Sequence, residues 1–476
     1  MRAPSVSGTA AKLLACAGLV SGLAGTALAQ SAPAADWTEI DSVVVREMRR
    51  QPVPGASMAV VVGDSVVLQR AYGIASIETG LPATPDMVFR VASVTKMFTG
   101  LQAAILARAG VVSLDAPIGQ YSAGLHPALR ALTLRQLLSH TAGLRDAAPA
   151  LGSRDDSALG AAARRLGADA VFAAPGELYS YSNAGFMLAG AVLEDAAGVP
   201  FAELVARDIL RPLGMERSSL RLVEAVTYPF ALGHDRDPQT GAARVIRPAP
   251  DAAEMLPRAG VFSTAPDLAR LAQAVMGGGD PGALAEGAAA LATSPIASAP
   301  GGESAQRYGL GFRVVTTRGE TEVGHYGGGL GYGAVVRMIP STRVGVIILA
   351  NRTGALLDAG ATAVLARLVP DRSPPAEPSA TPAEYPRATA ENAGRYLNMP
   401  GEPLEFVADS GGLALVDDGE RIPLYQVGPG VVAILDPSGR VAQPFIFARR
   451  AGGSPYVFLL GRAFLREEQD SPPRPR

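Results

Sequence analysis

Strand-like and helix-like segments occupy separate stretches of this 476-residue chain. Two β-branched runs, at 57–62 and 65–70, flank Gly63-Asp64 and predict a hairpin. From 95 to about 276 the pattern is mostly helical and rich in Ala and Leu. Strand-like segments return at 311–316, 321–325, 333–339 and 343–350, and their short connections predict antiparallel pairing. We therefore expect an α/β (α+β) fold with one antiparallel sheet, which the hairpin joins, and an inserted helical region.

The rest of the chain divides into further segments. A Pro-rich stretch at 370–390 predicts an extended linker. Short strand-like segments with Gly and Pro turns then predict a small β domain at 391–468. The polar residues 469–476 predict a frayed tail. These boundaries leave a main domain at 30–369.

The first 29 residues have the pattern of a secretory signal peptide. Arg2 and Lys12 precede an apolar run at 13–28, and Ala27-Leu28-Ala29 forms an A-x-A cleavage site. We therefore expect a periplasmic or secreted protein with no transmembrane anchor after cleavage. Too little apolar sequence precedes Cys16, the only cysteine, to favour lipoprotein anchoring there. Cleavage would leave a chain without thiols, which excludes a disulfide framework.

Lysine is rare in this chain. Lys12 and Lys96 are the only lysines among 42 basic residues. Arginine keeps its proton at accessible pH, whereas a desolvated lysine can lose it. Ser93-Val94-Thr95-Lys96 opens an apolar helical pattern, so Ser93 lies at a helix N-terminus and shares a face with Lys96. The catalytic interpretation is that Lys96 acts as a base on Ser93. The structural alternative is that Ser93 is an N-cap residue and Lys96 a solvated residue beside it.

The catalytic interpretation of Lys96 requires an unusual environment. The lysine pKa must fall from ~10.4 to ~7, which corresponds to roughly 4.6 kcal/mol of desolvation and like-charge repulsion. Only a buried pocket built for this purpose supplies that free energy.

Two further motifs place polar side chains at the ends of predicted elements. Tyr181 and Asn183 precede an apolar helix at 184–197; the phenol could share the Ser93 proton, and Asn183 could hold Lys96 or a substrate carbonyl. The alternative is a buried tyrosine and a helix cap.

A third motif ends a predicted strand and reads Gly324-His325-Tyr326-Gly327-Gly328-Gly329. Its glycines permit close approach of a substrate. The alternative is a glycine turn with a surface histidine.

Other chemistries lack their motifs in this chain. A net charge of −2 excludes a strongly basic nucleic-acid binder. There is no G-x-S-x-G nucleophile elbow, and the glycines lack dinucleotide-binding spacing. The four histidines, at 126, 140, 234 and 325, form no H-E-x-x-H motif. We therefore expect no metal and no cofactor, and we expect His140 to be structural.

Taken together, the three motifs resemble the serine β-lactamase and penicillin-binding-protein family, in particular its class C-like branch of exported serine hydrolases. The resemblance spans roughly 54–351. It includes Phe89-Arg90-Val91-Ala92, the segment 137–144, Pro175-Gly176-Glu177, and the segments 259–264 and 308–311. It implies a sheet flanked by helices, an all-helical lobe, and an active site between them.

The resemblance also implies roles for individual residues. Ser93 would be acylated, Lys96 and Tyr181 would exchange protons, and the Ser93 N–H with one on the His325 strand would form the oxyanion hole. Which of Lys96 and Tyr181 is the immediate base stays open. We assign Asn183, His325 and Gly327 to substrate binding.

The third motif departs from the family pattern. His325-Tyr326-Gly327 stands where penicillin-recognising members usually have Lys-Thr-Gly or Lys-Ser-Gly, so a permanent cation for a β-lactam carboxylate is missing. The resemblance therefore implies an esterase or a D-Ala-D-Ala carboxypeptidase or D-aminopeptidase, acting on small esters, amides or peptides, rather than an efficient β-lactamase. The alternative is a covalent penicillin-binding or sensor protein with little turnover. The C-terminal β domain resembles the small barrel-like appendages of some such hydrolases.

Overall fold

The computed structural model describes residues 36–146, 151–280, 282–300, 306–317, 319–369, 372, 385–398, 403–450 and 452–467. The predicted signal peptide at 1–29, most of the predicted linker at 370–390 and the predicted tail at 469–476 lie outside the described residues. These assignments and the predicted domain boundaries stay predictions. The main sheet and the C-terminal sheet both belong to one compact unit, which begins at Ile40.

The helices of the described residues concentrate between the early and the late strands. They are α1 (Thr38–Arg50), α2 (Thr95–Arg108), α3 (Pro127–Arg130), α4 (Leu134–Leu138), α5 (Ser157–Arg165), α6 (Asn183–Ala197), α7 (Phe201–Val205), α8 (Leu222–Ala225), α9 (Leu256–Ala259), α10 (Ala265–Val275), α11 (Ala288–Thr293) and α12 (Asp358–Leu368). Short 3₁₀ turns lie at Ala92–Val94, Ile118–Gln120, Ala168–Ala170, Ala253–Met255 and Ala390–Asn392, and a π turn lies at Ala206–Leu210. Among the described residues, no helix combines the length and the apolar character needed to cross a bilayer.

The strands that the structure describes within the first 370 residues form one large sheet and two short ribbons. They are β1 (Gly55–Val62), β2 (Ser65–Gly73), β3 (Phe89–Arg90), β4 (His234–Arg236), β5 (Ala243–Val245), β6 (Phe262–Ser263), β7 (Ala297–Ser298), β8 (Arg307–Tyr308), β9 (Arg313–Thr317), β10 (Glu320–Gly329), β11 (Tyr332–Ile339) and β12 (Val344–Ala350). The large sheet has the order β2-β1-β12-β11-β10-β9-β8-β7, and its pairs are antiparallel. β3 pairs with β6, and β4 pairs with β5.

The predicted sheet is confirmed. The β1–β2 hairpin joins the late strands because β1 pairs with β12, with Ala56 opposite Ala350. One strand is longer than predicted: β10 continues through the three glycines as far as Gly329, which pairs with Tyr332 of β11. These glycines therefore lie within a paired strand and not in a turn.

Helices cover both faces of the sheet at β12. Gly345 lies against Ala272 of α10. Ile348 is three residues further on and therefore faces the opposite side of the sheet, where it lies against Gly360 of α12. This double cover explains why every residue of β12 is buried and why the strand consists of apolar residues and glycine.

The inserted helical lobe is built around α2 and α6. Both helices are buried on nearly every side, as is typical of helices whose apolar residues do not form a single stripe. The boundaries of α6 follow from its sequence: the Ser182 hydroxyl accepts a hydrogen bond from the Gly185 N–H, and Gly198 ends the helix with a left-handed φ of 66°. The predicted inserted helical region is confirmed, and the short strands β4, β5 and β6 also lie within the segment that carries it.

The C-terminal region is a nine-stranded antiparallel sheet. Its strands are β13 (Gly394–Leu397), β14 (Leu404–Asp409), β15 (Gly412–Asp417), β16 (Glu420–Pro423), β17 (Tyr425–Gly428), β18 (Val431–Leu435), β19 (Val441–Arg449), β20 (Pro455–Leu459) and β21 (Arg462–Arg466), in the order β16-β15-β14-β13-β21-β20-β19-β18-β17. It encloses its own aromatic core, which includes Tyr396, Phe406 and Phe445. Phe458 and Ala463, from the last two strands, belong instead to the core of the main domain.

Candidate active site

Ser93 and Lys96 lie together at the start of α2. The 3₁₀ turn at Ala92–Val94 runs directly into this helix, so the two side chains are one turn apart. The Lys96 Nζ lies 3.2 Å from the Ser93 Oγ. Lys96 has no exposure to solvent, whereas Ser93 is partly exposed. The alternative of a solvated lysine is therefore wrong.

Three oxygen atoms surround the Lys96 nitrogen, and Ser93 Oγ is one of them. The Lys96 Nζ also lies 2.8 Å from the Asn183 Oδ1 and 3.0 Å from the Arg258 carbonyl oxygen. An ammonium would donate to all three oxygens, whereas the uncharged amine would use its two N–H donors on Asn183 and Arg258 and keep its lone pair for the Ser93 hydroxyl. Ser93 Oγ is then positioned to donate its proton to Lys96.

The charge on Lys96 is disfavoured where it lies. Burial lowers the pKa of Lys96 well below its ordinary value, and the positive charges of Arg258 and Arg462 lower it further, while Asp146 opposes them. Desolvation destabilises an ammonium ion because the protein interior replaces its hydration poorly. Lys96 can therefore accept a proton at a pH where an exposed lysine cannot.

Tyr181 lies on the other side of the Ser93 hydroxyl. Its hydroxyl donates a hydrogen bond of 2.9 Å to Ser93 Oγ. The Lys96 Nζ is 4.8 Å from the centre of the Tyr181 ring. Burial raises the pKa of Tyr181 above its ordinary value, so the phenol keeps its proton near neutral pH. Tyr181 is thus set to donate a proton, and Lys96 to accept one.

Asn183 holds Lys96 from the first turn of α6. Its backbone N–H donates to Asp146 Oδ1 at 2.7 Å, and its Nδ2 donates to Asp146 Oδ2 at 3.3 Å. These two bonds orient the amide so that Oδ1 is the atom facing Lys96. Of the two roles considered for Asn183, holding Lys96 is the one seen here.

His325 and Gly327 lie on β10, which runs past the nucleophile. His325 is 4% exposed; its Nδ1 contacts the Tyr326 carbonyl oxygen at 2.5 Å, and its Nε2 lies 2.7 Å from the Tyr308 hydroxyl. Burial lowers the pKa of His325 to about 3, so the ring is neutral and does not replace the missing cation. The alternative of a surface histidine is wrong. The assignment of His325 to substrate binding stays a prediction.

The backbone of β10 approaches the nucleophile segment closely at Gly327. A Cβ at Gly327 would lie 2.2 Å from the Val91 carbonyl oxygen, two residues before Ser93. Pairing with β9 ends at Gly324. The next part of β10 therefore has an edge open beside the turn that carries Ser93.

Three charged residues near the site were not found from the sequence. Asp146 orients Asn183, Arg258 supplies a carbonyl to Lys96, and Arg462 pairs with Asp146. Asp146 lies two residues after the family-like segment 137–144, which was a usable signal. Arg462 is 316 residues from Asp146, and no local pattern announces that pair.

His140 packs against the segment that contains Tyr181 and Ser182. Its Nδ1 accepts a hydrogen bond of 3.0 Å from the Ser182 N–H, and its ring centre is 4.2 Å from that of Tyr181. Burial lowers the pKa of His140 well below its ordinary value, so the ring is neutral. These contacts agree with the structural role expected for His140.

Comparisons with known proteins cover the main domain and, in the case of one solved structure, also the C-terminal sheet. Residues 40–371 match the family model Beta-lactamase. Esterase EstB from Burkholderia gladioli is 29% identical over 285 residues, which cover 52% of this chain and 71% of that protein. Protein flp from Staphylococcus aureus (strain COL) is 25% identical over 207 residues, so the chain spans only 41% of the length of that relative. The crystal structure of SurE has a TM-score of 0.72 and 26% identity, over 90% of this chain and 99% of SurE.

The SurE match reaches beyond the family region into the C-terminal sheet, and the family match covers well over half of the chain. EstB is named an esterase, and the structure of a class C β-lactamase, 21% identical with a TM-score of 0.59, shares the fold described above. The chain belongs to the Beta-lactamase family.

Proposed function

We propose that this protein is an exported serine hydrolase that cleaves small esters or amides through an acyl-enzyme at Ser93. The observation that carries the proposal is the 3.2 Å contact between Ser93 Oγ and the fully buried Lys96 Nζ. A serine hydroxyl is a weak nucleophile until a base takes its proton. An amine kept neutral by burial is such a base.

The acylation step follows from the two hydrogen bonds of Ser93. Lys96 takes the hydroxyl proton while Oγ attacks the substrate carbonyl carbon and forms a tetrahedral oxyanion. Tyr181 then gives its phenolic proton to the departing oxygen or nitrogen, the bond to the leaving group breaks, and Lys96 returns its proton to Tyr181. The directions of the two pKa shifts, down for Lys96 and up for Tyr181, favour Lys96 as the immediate base.

Deacylation reverses the roles with water as the nucleophile. A water molecule gives a proton to Lys96 and adds to the acyl carbonyl. The Ser93 oxygen then leaves and takes this proton back from Lys96, and the carboxylic acid is released. The N–H of Ser93 and the open edge of β10 after Gly324 are proposed to bind the oxyanion in both steps.

The charges around the site favour esters and amides over β-lactams. His325 is neutral where many family members carry lysine, and Arg462 is paired with Asp146. A substrate carboxylate at His325 therefore gains no ion pair there. Two neighbours agree with this choice: EstB is named an esterase, and SurE has also been solved with D-Leu. We therefore propose uncharged acyl groups, including acyl groups that end in a D-amino acid.

Steady-state hydrolysis of p-nitrophenyl butyrate tests the proposal. We expect continuous p-nitrophenol release by the wild type and none above background by Ser93→Ala. Intact-mass analysis after fluorophosphonate treatment should show one adduct on the wild type and none on Ser93→Ala. Release of one equivalent followed by no turnover, across ester, D-amino-acid amide and penicillin panels, would instead support the covalent sensor.

Export is part of the proposal and rests on the pattern at 1–29. Expression of the full chain in a Gram-negative host should yield an extracytoplasmic product whose N-terminus is Gln30. Recovery of the uncleaved chain from the cytoplasm alone would contradict this part, and it would leave the proposed chemistry at Ser93 unaffected.

A further inference from the structure

The C-terminal sheet touches the catalytic segment through the turn between β20 and β21. The Tyr181 N–H donates to the Gly461 carbonyl oxygen at 2.8 Å. Next to it, the Ala463 N–H donates to Ser180 Oγ at 3.2 Å. The turn is therefore bonded to the residues that present the Tyr181 phenol to Ser93.

Arg462 follows that turn and adds a charge. Its Nε donates to Asp146 Oδ2 at 2.7 Å, and its Nη2 contacts the same oxygen. The Asp146 side chain is 8% exposed, and that of Arg462 is 31% exposed. Since Asp146 also accepts two hydrogen bonds from Asn183, an unbroken series of contacts runs from Arg462 through Asp146 and Asn183 to Lys96.

We propose that Arg462 is a positioning residue that compensates the charge of Asp146 and so keeps Lys96 in its uncharged, proton-accepting form. This inference rests on the proposed role of Lys96 as the base. It assigns to the C-terminal sheet a part in setting the pH range over which the main domain works.

The groups around Lys96 show why compensation is needed. Arg258 of α9 and Arg462 of β21 are the cations, His325 of β10 and His140 near α4 are neutral, and Tyr181 keeps its proton. Asp146 is the anion in this set. A carboxylate near a buried amine stabilises its ammonium form, and Arg462 is the cation that is bonded directly to the Asp146 carboxylate. Without Arg462, Asp146 would therefore favour protonation of Lys96.

A second ion pair between the same two regions makes it possible to separate the effect of charge on Lys96 from the effect of losing an ion pair. Arg450 of the C-terminal region pairs with Glu177 through Nε–Oε1 and Nη2–Oε2 contacts of 2.5 and 2.8 Å. This pair joins the same two regions as the Arg462–Asp146 pair, but it lies outside the series of contacts that reaches Lys96, and the charges that chiefly shift the pKa of Lys96 are Arg258, Asp146 and Arg462. Arg450→Gln is therefore a matched control for loss of an ion pair between the regions.

The test measures the ionisation of Lys96 directly. Because the chain has two lysines, labelling with ¹³Cε-lysine gives at most two signals, and Lys12→Arg assigns them. We expect the pKa of Lys96 to rise by about one unit or more in Arg462→Gln. It should stay near the wild-type value in Arg462→Lys and Arg450→Gln, and return towards that value in Arg462→Gln/Asp146→Asn.

The pH profile of kcat/KM for p-nitrophenyl butyrate provides the second readout. Its acid limb should move to higher pH in Arg462→Gln and return in the double variant. An unchanged Lys96 signal in folded Arg462→Gln, or equal shifts in Arg462→Gln and Arg450→Gln, would overturn the inference. If Arg462→Gln does not fold, a rise in the Lys96 pKa in Asp146→Asn overturns it instead. Esterase activity that survives Ser93→Ala would refute the proposed function separately, because the NMR titration does not depend on turnover.

Discussion

The amine of Lys96 donates to the side-chain oxygen of Asn183 across 2.8 Å, although the two residues are 87 positions apart in the chain. Asn183 is itself held by Asp146, so the amine faces a fixed acceptor. In its uncharged form, Lys96 can therefore use its N–H groups on fixed acceptors and keep its lone pair for the Ser93 hydroxyl 3.2 Å away.

Replacement of Lys96 by arginine should abolish turnover. Lys96→Arg preserves a cation but not a group that can lose its proton, so we expect kcat/KM for p-nitrophenyl butyrate to fall by about 10²–10⁴-fold. Circular dichroism checks that the variant is folded, because a permanently charged guanidinium must be accommodated at a fully buried position. Near-normal turnover by folded Lys96→Arg would refute the role of Lys96 as a base.

Removal of the Tyr181 hydroxyl should slow acylation without unfolding the protein. Tyr181→Phe deletes the proton donor to the leaving group, and we expect a loss in kcat of about 10²-fold or more. Tyr179→Phe is the matched control, since that hydroxyl bonds Gln306 instead of Ser93. Equal losses in the two variants would indicate a packing effect. Pre-steady-state p-nitrophenol release measures the acylation step.

An added methyl group on β10 should disturb the segment that carries Ser93 when it is placed at Gly327, but not when it is placed at Gly328. A Cβ at Gly327 would meet the Val91 carbonyl oxygen at 2.2 Å, whereas a Cβ at Gly328 meets its nearest atom, in Gly354, at 3.4 Å. We expect Gly327→Ala to lower stability by about 1–3 kcal/mol and to lower kcat/KM, and Gly328→Ala to change both far less. Thermal unfolding and ester hydrolysis measure the two effects. Similar behaviour of both variants would contradict the close packing of β10 on Val91.

The buried amine should make the protein less stable as the pH falls. The pKa of Lys96 is lowered in the folded state, so between that depressed value and ~10.4 the unfolded chain binds a proton that the folded chain does not. Stability therefore rises with pH in this window, by about 1.4 kcal/mol per unit from this group. Lys96→Met removes the contribution.

Denaturant unfolding at several pH values measures this effect as the difference between Lys96→Met and the wild type. The variant should be more stable at neutral pH, and its advantage should shrink as the pH approaches ~10.4. An advantage that does not vary with pH would mean that Lys96 is charged in the folded protein.

Several features of the fold were predictable because they depend on local patterns. The β-branched runs on either side of Gly63-Asp64 form the expected hairpin. The apolar stretch closed by Gly198 forms the expected helix α6. The length of β10 was underestimated, because its glycines have low strand propensity and are held by pairing with β11. At these glycines, pairing with β11 outweighs their low intrinsic strand propensity.

The amino-acid sequence by itself determined that Ser93 and Lys96 would share one helical turn, because their spacing of three residues sets that geometry wherever the helix lies. Only the tertiary structure decided that Lys96 would be fully buried, that His325 would be neutral and turned towards Tyr308, and that Arg462 would reach Asp146. Burial and pairing between distant residues depend on how whole elements pack, and a pKa depends on every charge and every solvent-excluding group that this packing brings near. The composition of a motif therefore identifies a candidate base, while its protonation state is a property of the assembled fold.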